Sequence, residues 1–445
     1  MASVTYKQLM VNNRSFRWLW GGQVVSELGN WFNFIAALGL IRTVTSAAPL
    51  ATAIIVVCRL VPFSVFAPFA GAFVDRWSRR HVMIVADLAR AIVALGFLLV
   101  TSSKELWIAY VCTALLALLT AFFEAAKNAS IPNITGDDGL LAGNALMFSS
   151  RFLLMTVGAA LGGVASASFG YRVAFLVNAI SFLVSAWSIW LIPEEDMTSK
   201  QLKHELVAAY LGQSSVKRYW TDIREGWAFI RRSNIVSAII AVNILWAMGG
   251  GATYLIFDRL GGVLFAGSSG YSPDAGVAIL YTAAGLGLFV GMMLARRVGS
   301  QVEINGLTAR FIGWMLIFHG SLFAVCGVAP NLFSAALFVM LSRAVIGVEF
   351  GVQDTLLMRS IPDRLRGRVA ITDRAAEILI MSLSTGVAGW ALKLVSIRTI
   401  AVVSGVLSGV PGILWLWLNR NGKLGLCNER NSFKTSEEKF AIGSP

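Results

Sequence analysis

The sequence predicts an all-α integral membrane protein with twelve transmembrane helices in two six-helix, pseudo-symmetric bundles. Three observations predict it. Of 445 residues, 56% are hydrophobic and 14% charged, and the mean hydropathy is +0.70. A soluble domain carries about 25% charged residues, and only a bilayer accepts so apolar an exterior. The apolar residues fall in runs of bilayer length, six before a polar gap and six after it. The two sets of runs also share residues at fixed offsets.

A spanning helix needs roughly 20 apolar residues. Runs of that order occur at 16–44, 50–73, 82–101, 106–131, 142–169 and 173–192. They resume at 235–257, 275–295, 307–328, 332–361, 369–395 and 397–419. The organisation expected is an N-terminal bundle over 1–192, a central loop over 193–234, a C-terminal bundle over 235–419 and a disordered tail over 420–445. Within the loop, Tyr219, Ile223, Trp227 and Ile230 recur at helical spacing among charges. That pattern predicts an amphipathic linker helix on the membrane surface. The polar N-terminal stretch runs into a long apolar run without a small-residue cleavage site, so the first run is read as an uncleaved span.

The connections alternate in charge. One set carries Lys7, Arg14 and Arg17, then Arg76, Arg79 and Arg80, Lys127, the central loop, Arg296 and Arg297, Arg364, Arg366 and Arg368, and Arg420 with Lys423. The other set holds mainly Lys104, Arg172, Arg259 and Arg398. The positive-inside rule then places both termini and the central loop in the cytoplasm of a multi-pass protein of the cell (inner) membrane. An even number of spans agrees with that orientation.

Several function classes are excluded. The net charge of +13 sits in short loops, without a phosphate loop or nucleic-acid motif, so no nucleic-acid partner is expected. The four cysteines are isolated and the three histidines lie far apart, so neither a disulfide framework, a metal site nor another cofactor is expected. A membrane acyltransferase would need a His-x4-Asp cluster, which is absent; the protein is not expected to be an enzyme.

At an offset of 220, Gly71 falls on Gly291, Arg76 on Arg296, Ala89-Arg90 on Ala309-Arg310 and Ile92 on Ile312. At 230, Ser130-Ile131-Pro132 falls on Ser360-Ile361-Pro362 and Glu124 on Asp354. Two such repeats imply a cavity between them and rocking about a midplane site.

The stretch GAFVDRWSRRHVM, Gly71 to Met83, resembles the signature loop of the major facilitator superfamily. The opening FRWLWGGQVVSELGNWFNFIAAL, the IPDRLRGRV stretch and DLARA resemble its drug and siderophore exporter branch, which holds the enterobactin exporter and macrolide efflux pumps. The resemblance implies proton-coupled efflux of a small amphipathic molecule, drug-like or siderophore-like, by alternating access; the protein is expected to be a monomer with protons as coupling ion. A lysolipid or lipid flippase of the same fold and a small-metabolite importer are the alternatives. Asn30 stands where that branch commonly has an acid. GAALGG, Gly158 to Gly163, is similar to the antiporter motif with Ala159 for its proline, and serves equally as a small-residue packing face.

In the signature loop, Gly71 permits close backbone approach. Asp75 is placed by the resemblance against the start of the eleventh helix, where a helix N-terminus stabilises a carboxylate. With Arg76, Arg79 and Arg80, and with Arg366 and Arg368 before the eleventh helix, it is expected to form a conformational latch. Inside the membrane, ionisable groups cost roughly 2.5–3.5 kcal/mol each and so face cavities or partners. Gln23, Glu27 and Asn30 form one stripe on the first helix; Glu27 and Glu349 are the leading proton-coupling acids, with Arg59, Arg151 and Arg343 as cavity cations. Asp87 and Arg90 read as a structural pair, Glu377 and Arg374 as another. Trp31, Phe34, Trp246 and Tyr281 are expected pocket aromatics.

Overall fold

The computed structural model describes residues 5–74, 77–197, 215–266 and 270–424. Its membrane helices are α1 (Arg14–Val44), α2 (Pro49–Val74) and α3 (Arg79–Leu95). Then come α4 (Ser103–Gly136), α5 (Asp138–Phe169), α6 (Tyr171–Trp190) and α7 (Asn234–Leu264). The series ends with α8 (Pro273–Ile304), α9 (Thr308–Val328), α10 (Leu332–Arg359), α11 (Asp363–Ala391) and α12 (Ile397–Arg420). Eleven of them are long and apolar enough to cross a membrane. The other, α11, has the length at 29 residues but carries Asp373, Arg374 and Glu377, which lower its hydropathy.

Local chemistry sets the helix ends. The Asn13 side chain accepts the Phe16 N–H at 2.8 Å and starts α1. Ser272 caps α8, with Pro273 in its first turn, and Asn331 starts α10 with a capping box. Each arrangement satisfies N–H groups that a helix N-terminus leaves orphaned. Helix runs through Pro132, and α4 breaks from α5 only at Gly136, whose φ of 65° favours glycine. Helical structure thus outlasts the apolar run that ends at 131, because a helix closes its own backbone bonds outside the bilayer as well as within it. A separate helix, Ser215–Arg232, precedes α7; on it Trp227 is exposed and Ile230 buried. Tyr219 and Ile223, the other two residues of the amphipathic pattern, and the tail beyond 424 lie outside the residues whose side chains are described.

Call the end of the bundle holding Arg14 the near end and the end holding Val44 the far end. The far end has one hydrophobic core shared by both halves: Trp31, Phe34 and Ile41 of α1 pack with Leu255, Phe257, Leu280 and Tyr281. At the near end there are two separate cores. One is built from N-terminal-half residues such as Phe16, Met83 and Phe123, the other from C-terminal-half residues such as Ile239, Ile346 and Trp415. The outer faces carry large exposed apolar side chains, among them Ile92, Leu99, Trp107, Val164, Met293 and Val387. Such a surface suits lipid.

Small residues bring the halves together along two pairs of helices. On α5, Gly158 and Gly162 lie against α1, where an added Cβ would come 2.7 Å from Trp31 Cβ and 3.1 Å from Phe32 Cα. Gly163 lies against Ala278 of α8 in the other half. Further along, Gly285 of α8 leaves 2.5 Å between an added Cβ and Thr156 Oγ1. GAALGG is therefore a packing face, and its last glycine serves the joint between halves. Gly389 of α11 lies against Ala53 of α2, which makes the second joint.

Candidate functional site

The far end is sealed by ions. Arg42 at the end of α1 forms ion pairs with Asp258 of α7 and Asp274 of α8, all three side chains less than a tenth exposed. Arg259 donates to Thr52 Oγ1 at 2.9 Å and to the Ala47 carbonyl, and its Nε lies 3.4 Å from Asp258. Arg42 therefore ties the first half to the second, and Arg259 ties the second back to the first. The α7 backbone makes room for this: it passes into a π-helical turn over Leu260–Leu264. There Gly262 faces the Arg42 guanidinium and Gly261 faces Gly276, approaches that a side chain would block. Buried charges persist only when paired and hydrogen-bonded.

Below the seal lies an aromatic cluster crossing between halves. Ring centroids are 5.8 Å apart for Trp31–Phe34, 5.9 Å for Trp31–Tyr281 and 5.6 Å for Phe34–Tyr281. Phe34 also meets Tyr254 at 6.0 Å. Three of the four expected pocket aromatics thus converge, and they are packed, with Tyr281 only 1% exposed. They form the floor beneath the seal. Trp246 is elsewhere: it contacts Phe350 at 5.2 Å and His319 at 6.3 Å inside the C-terminal half. Its assignment to the same pocket is corrected, because α7 turns its face between residues 246 and 254.

Two arginines flank the cluster. The Arg59 guanidinium lies 4.4 Å from the Phe34 ring centroid and 5.9 Å from that of Trp31. Glu27, Arg151, Tyr254 and Tyr281 are the groups within its electrostatic reach. Arg343 donates to Thr253 Oγ1 at 2.9 Å and lies 5.3 Å from the Phe323 ring. The stripe on α1 is present: Asn30 donates to Glu27 at 3.4 Å, and Gln23 Oε1 is buried without a hydrogen-bond partner. Arg151 is exposed and within electrostatic reach of Glu124, which pairs with Lys127 at 2.5 Å.

Glu349 belongs to a different cluster. It is completely buried on α10, and neither carboxylate oxygen has a hydrogen-bond partner among the described residues. One turn along, Gln353 donates to Asn243 at 2.7 Å, and Asn243 donates to Asp373 at 2.9 Å. Asp87 and Arg90 form the expected pair, fully buried, with the guanidinium 4.2 Å from the Phe123 ring. Arg374 and Glu377 pair at 2.7 Å.

Asp75, Arg76 and the Arg368 side chain lie outside the described residues. Among the described residues no heavy atom lies within 4 Å of a Cβ added at Gly71, so in this arrangement no close approach is seen there. Arg79 donates to the carbonyls of Ala129 and Met197 at 2.7 and 3.0 Å, and Arg80 donates to the carbonyl of Trp190. These bonds pin the start of the central loop and the end of α6 to the start of α3. Arg366 is exposed and its Nε donates to the Met358 carbonyl at 2.9 Å.

Arg42, Asp258 and Asp274 were not among the expected site residues, because they sit at run ends and look in the sequence like solvated charges. A signal was available: Asp258 lies beside Arg259 in an otherwise uncharged segment bounded by glycines.

A helical membrane bundle in two halves, joined at one end and separate at the other over buried charged groups, defines a transporter. The chain belongs to the Major Facilitator Superfamily, whose profile matches residues 19–372. It is 25% identical to an uncharacterized MFS-type transporter, YfiS, of Bacillus subtilis over 92% of this chain and 94% of the relative. It is 24% identical to the putative bacilysin exporter BacE of the same species, covering 85% and 88%. It is 20% identical to macrolide efflux protein A of Streptococcus pyogenes, covering 92% and 97%. Among solved structures, a bacterial homologue of the iron transporter ferroportin in an inward-facing state superposes with a TM-score of 0.66 at 13% identity, covering 90% and 98%. The nucleoside transporter NupG does so with a TM-score of 0.69 at 10% identity, covering 92% and 100%; both likenesses concern the fold.

Proposed function

We propose that this membrane transporter is an alternating-access exporter of a small amphipathic molecule, driven by protons, acting as a monomer in the cell inner membrane with both termini cytoplasmic. One observation carries the reading: a core common to both halves at the far end and two separate cores at the near end. With the near end cytoplasmic, this is the loading state of an exporter, and breaking the Arg42 seal releases cargo outward. The family relatives that bear exporter names favour the outward direction. Residues 1–192 and 235–419 act as the two rocking units, and residues 193–234 link them.

In this reading Glu27, beside Asn30, and Glu349, buried in the C-terminal half, carry the protons. A carboxylate without partners in an apolar interior is strongly destabilised, so such a group exchanges a proton as its surroundings open and close. Each charge crossing the membrane gains roughly 2.3 kcal/mol per 100 mV. The signature-loop set of Gly71, Asp75, Arg76, Arg79 and Arg80, with Arg366 and Arg368, serves in this reading as the latch that shuts the cytoplasmic side in the opposite state. The test is uptake into everted vesicles, whose cytoplasmic face points outward, across a panel of amphipathic compounds, with and without a protonophore. Collapse with protonophore and loss in Glu27→Gln or Glu349→Gln are expected; intact substrate-dependent proton flux in both variants overturns the coupling. Unchanged transport by Asp75→Ala overturns the latch.

A further inference from the structure

We propose that Arg59 and Arg343 form a receptor for the anionic group of the cargo, so that the transported molecule is an organic anion or zwitterion with an aromatic or apolar body. The proposal deepens the transport reading above and rests on it.

The charge inventory carries it. Both arginines sit in apolar membrane segments, one from each half, and neither forms an ion pair among the described residues. Three buried arginines of the membrane helices have acids: Arg42 has Asp258 and Asp274, Arg90 has Asp87, and Arg259 has Asp258. Arg343 is 8% exposed. The titratable groups around it, Tyr254, Tyr281, Cys326 and His319, include no carboxylate among the described residues. Its one hydrogen bond is to Thr253, and aromatic rings take up the rest of its surroundings, Phe323 at 5.3 Å and Phe257 at 6.0 Å. Arg59 has Glu27 within reach but not bonded to it, and stacks on Phe34.

A lone guanidinium at that depth is costly, and ring faces replace a counter-ion only in part. Arg59 stacks on Phe34, Phe34 meets Tyr281 at 5.6 Å, Tyr281 meets Phe257 at 5.2 Å, and Phe257 lies 6.0 Å from the Arg343 guanidinium, so one ring cluster carries a cation from each half. A carboxylate or phosphate between them meets two planar donor forks, while its apolar body lies on Trp31, Phe34 and Tyr281. The indole N–H of Trp31, buried without a hydrogen-bond partner, adds a donor. Because the forks belong to different halves, the anion draws the halves together as it binds, and Glu27 stands ready for the amine of a zwitterion.

The experiment is a calorimetric titration of the purified full chain with three probes sharing one ring system and differing in charge: naphthoate, naphthylmethanol and naphthylmethylamine. Naphthoate is expected to bind about tenfold tighter or more than the other two, the worth of hydrogen bonds to a charged group. That preference is expected to vanish in Arg343→Gln and in Arg59→Gln, to return in part in Arg343→Lys, and to persist in Arg374→Gln, whose exposed arginine already has an acid. Equal or stronger binding of the alcohol or amine, no binding of naphthoate, or a preference that survives both glutamine variants overturns the proposal. Should a glutamine variant not fold, the charge series on the wild-type chain decides alone. An anionic lysolipid offers the same chemistry: displacement of naphthoate by lysophosphatidate identifies a lipid source for the anion, and failure to displace it a soluble one, both consistent with the receptor. The measurement is of binding, so chains that carry cargo without anion preference reject the receptor alone, whereas failure of efflux rejects the transport reading.

Discussion

Replacing Arg42 with glutamine is expected to open the far end. Arg42 bonds two carboxylates of the opposite half, Asp258 and Asp274, in a site where all three groups are buried. Removing one partner of a buried pair costs about 3–5 kcal/mol because the remaining charge is stranded. Here Arg259, 3.4 Å from Asp258, stays to compensate one carboxylate, so the lower bound applies. The cost falls only on the sealed form, since opening hydrates both acids. About 3 kcal/mol is a factor of roughly 150 in the equilibrium, enough to raise a far-open form from about one per cent of molecules to a majority. The assay is a distance measurement between spin labels at Leu50 and Tyr271, exposed positions flanking the seal, after replacement of the native cysteines. Wild type should give one short distance and Arg42→Gln a dominant longer one, with slower efflux. An unchanged distance distribution would refute the claim that these ions hold the far end shut.

Three other perturbations follow from the packing. Gly163→Leu drives a side chain into Ala278 of the other half; overpacking of about 1–3 kcal/mol should slow efflux at normal membrane levels, and a wild-type rate would show that the close α5–α8 approach is dispensable. Arg79→Ala removes bonds to the Ala129 and Met197 carbonyls, each worth about 1.5–3 kcal/mol for a charged donor. The thermal midpoint should fall and amide exchange over Glu194–Met197 should quicken; unaltered exchange there would contradict the pinning. Glu349→Leu exchanges a buried carboxyl with no partner for an apolar group of similar size, which is neutral or stabilising within about 1 kcal/mol. Its thermal midpoint should hold or rise while proton-linked transport drops, and a steep loss of stability would reveal a partner for Glu349.

How much of this was legible in the chain depends on the range of the interaction involved. The spans could be read because lipid imposes a local rule: backbone polar groups must be satisfied within the segment, so each helix announces itself as an apolar run of fixed length. The stripe of Gln23, Glu27 and Asn30, the Asp87–Arg90 pair and the GAALGG packing face were legible for the same reason, since helical spacing alone sets which residues share a face. The eleventh helix was legible too, as the run 369–395, although Asp373, Arg374 and Glu377 dilute its hydropathy.

Composition and periodicity determined that this is a two-part helical membrane bundle with buried polar groups. Tertiary structure alone decided which of those groups meet. Arg42 and its acids are separated by more than two hundred residues, and nothing local marks a charge at a run's end as paired instead of solvated. Trp31, Phe34 and Tyr281 converge whereas Trp246 does not, because the rotation of α7 about its own axis is set by neighbours distant in sequence. The choice of which end is sealed lies in a few ion pairs and glycine contacts between halves, and such contacts exist only once the helices have assembled.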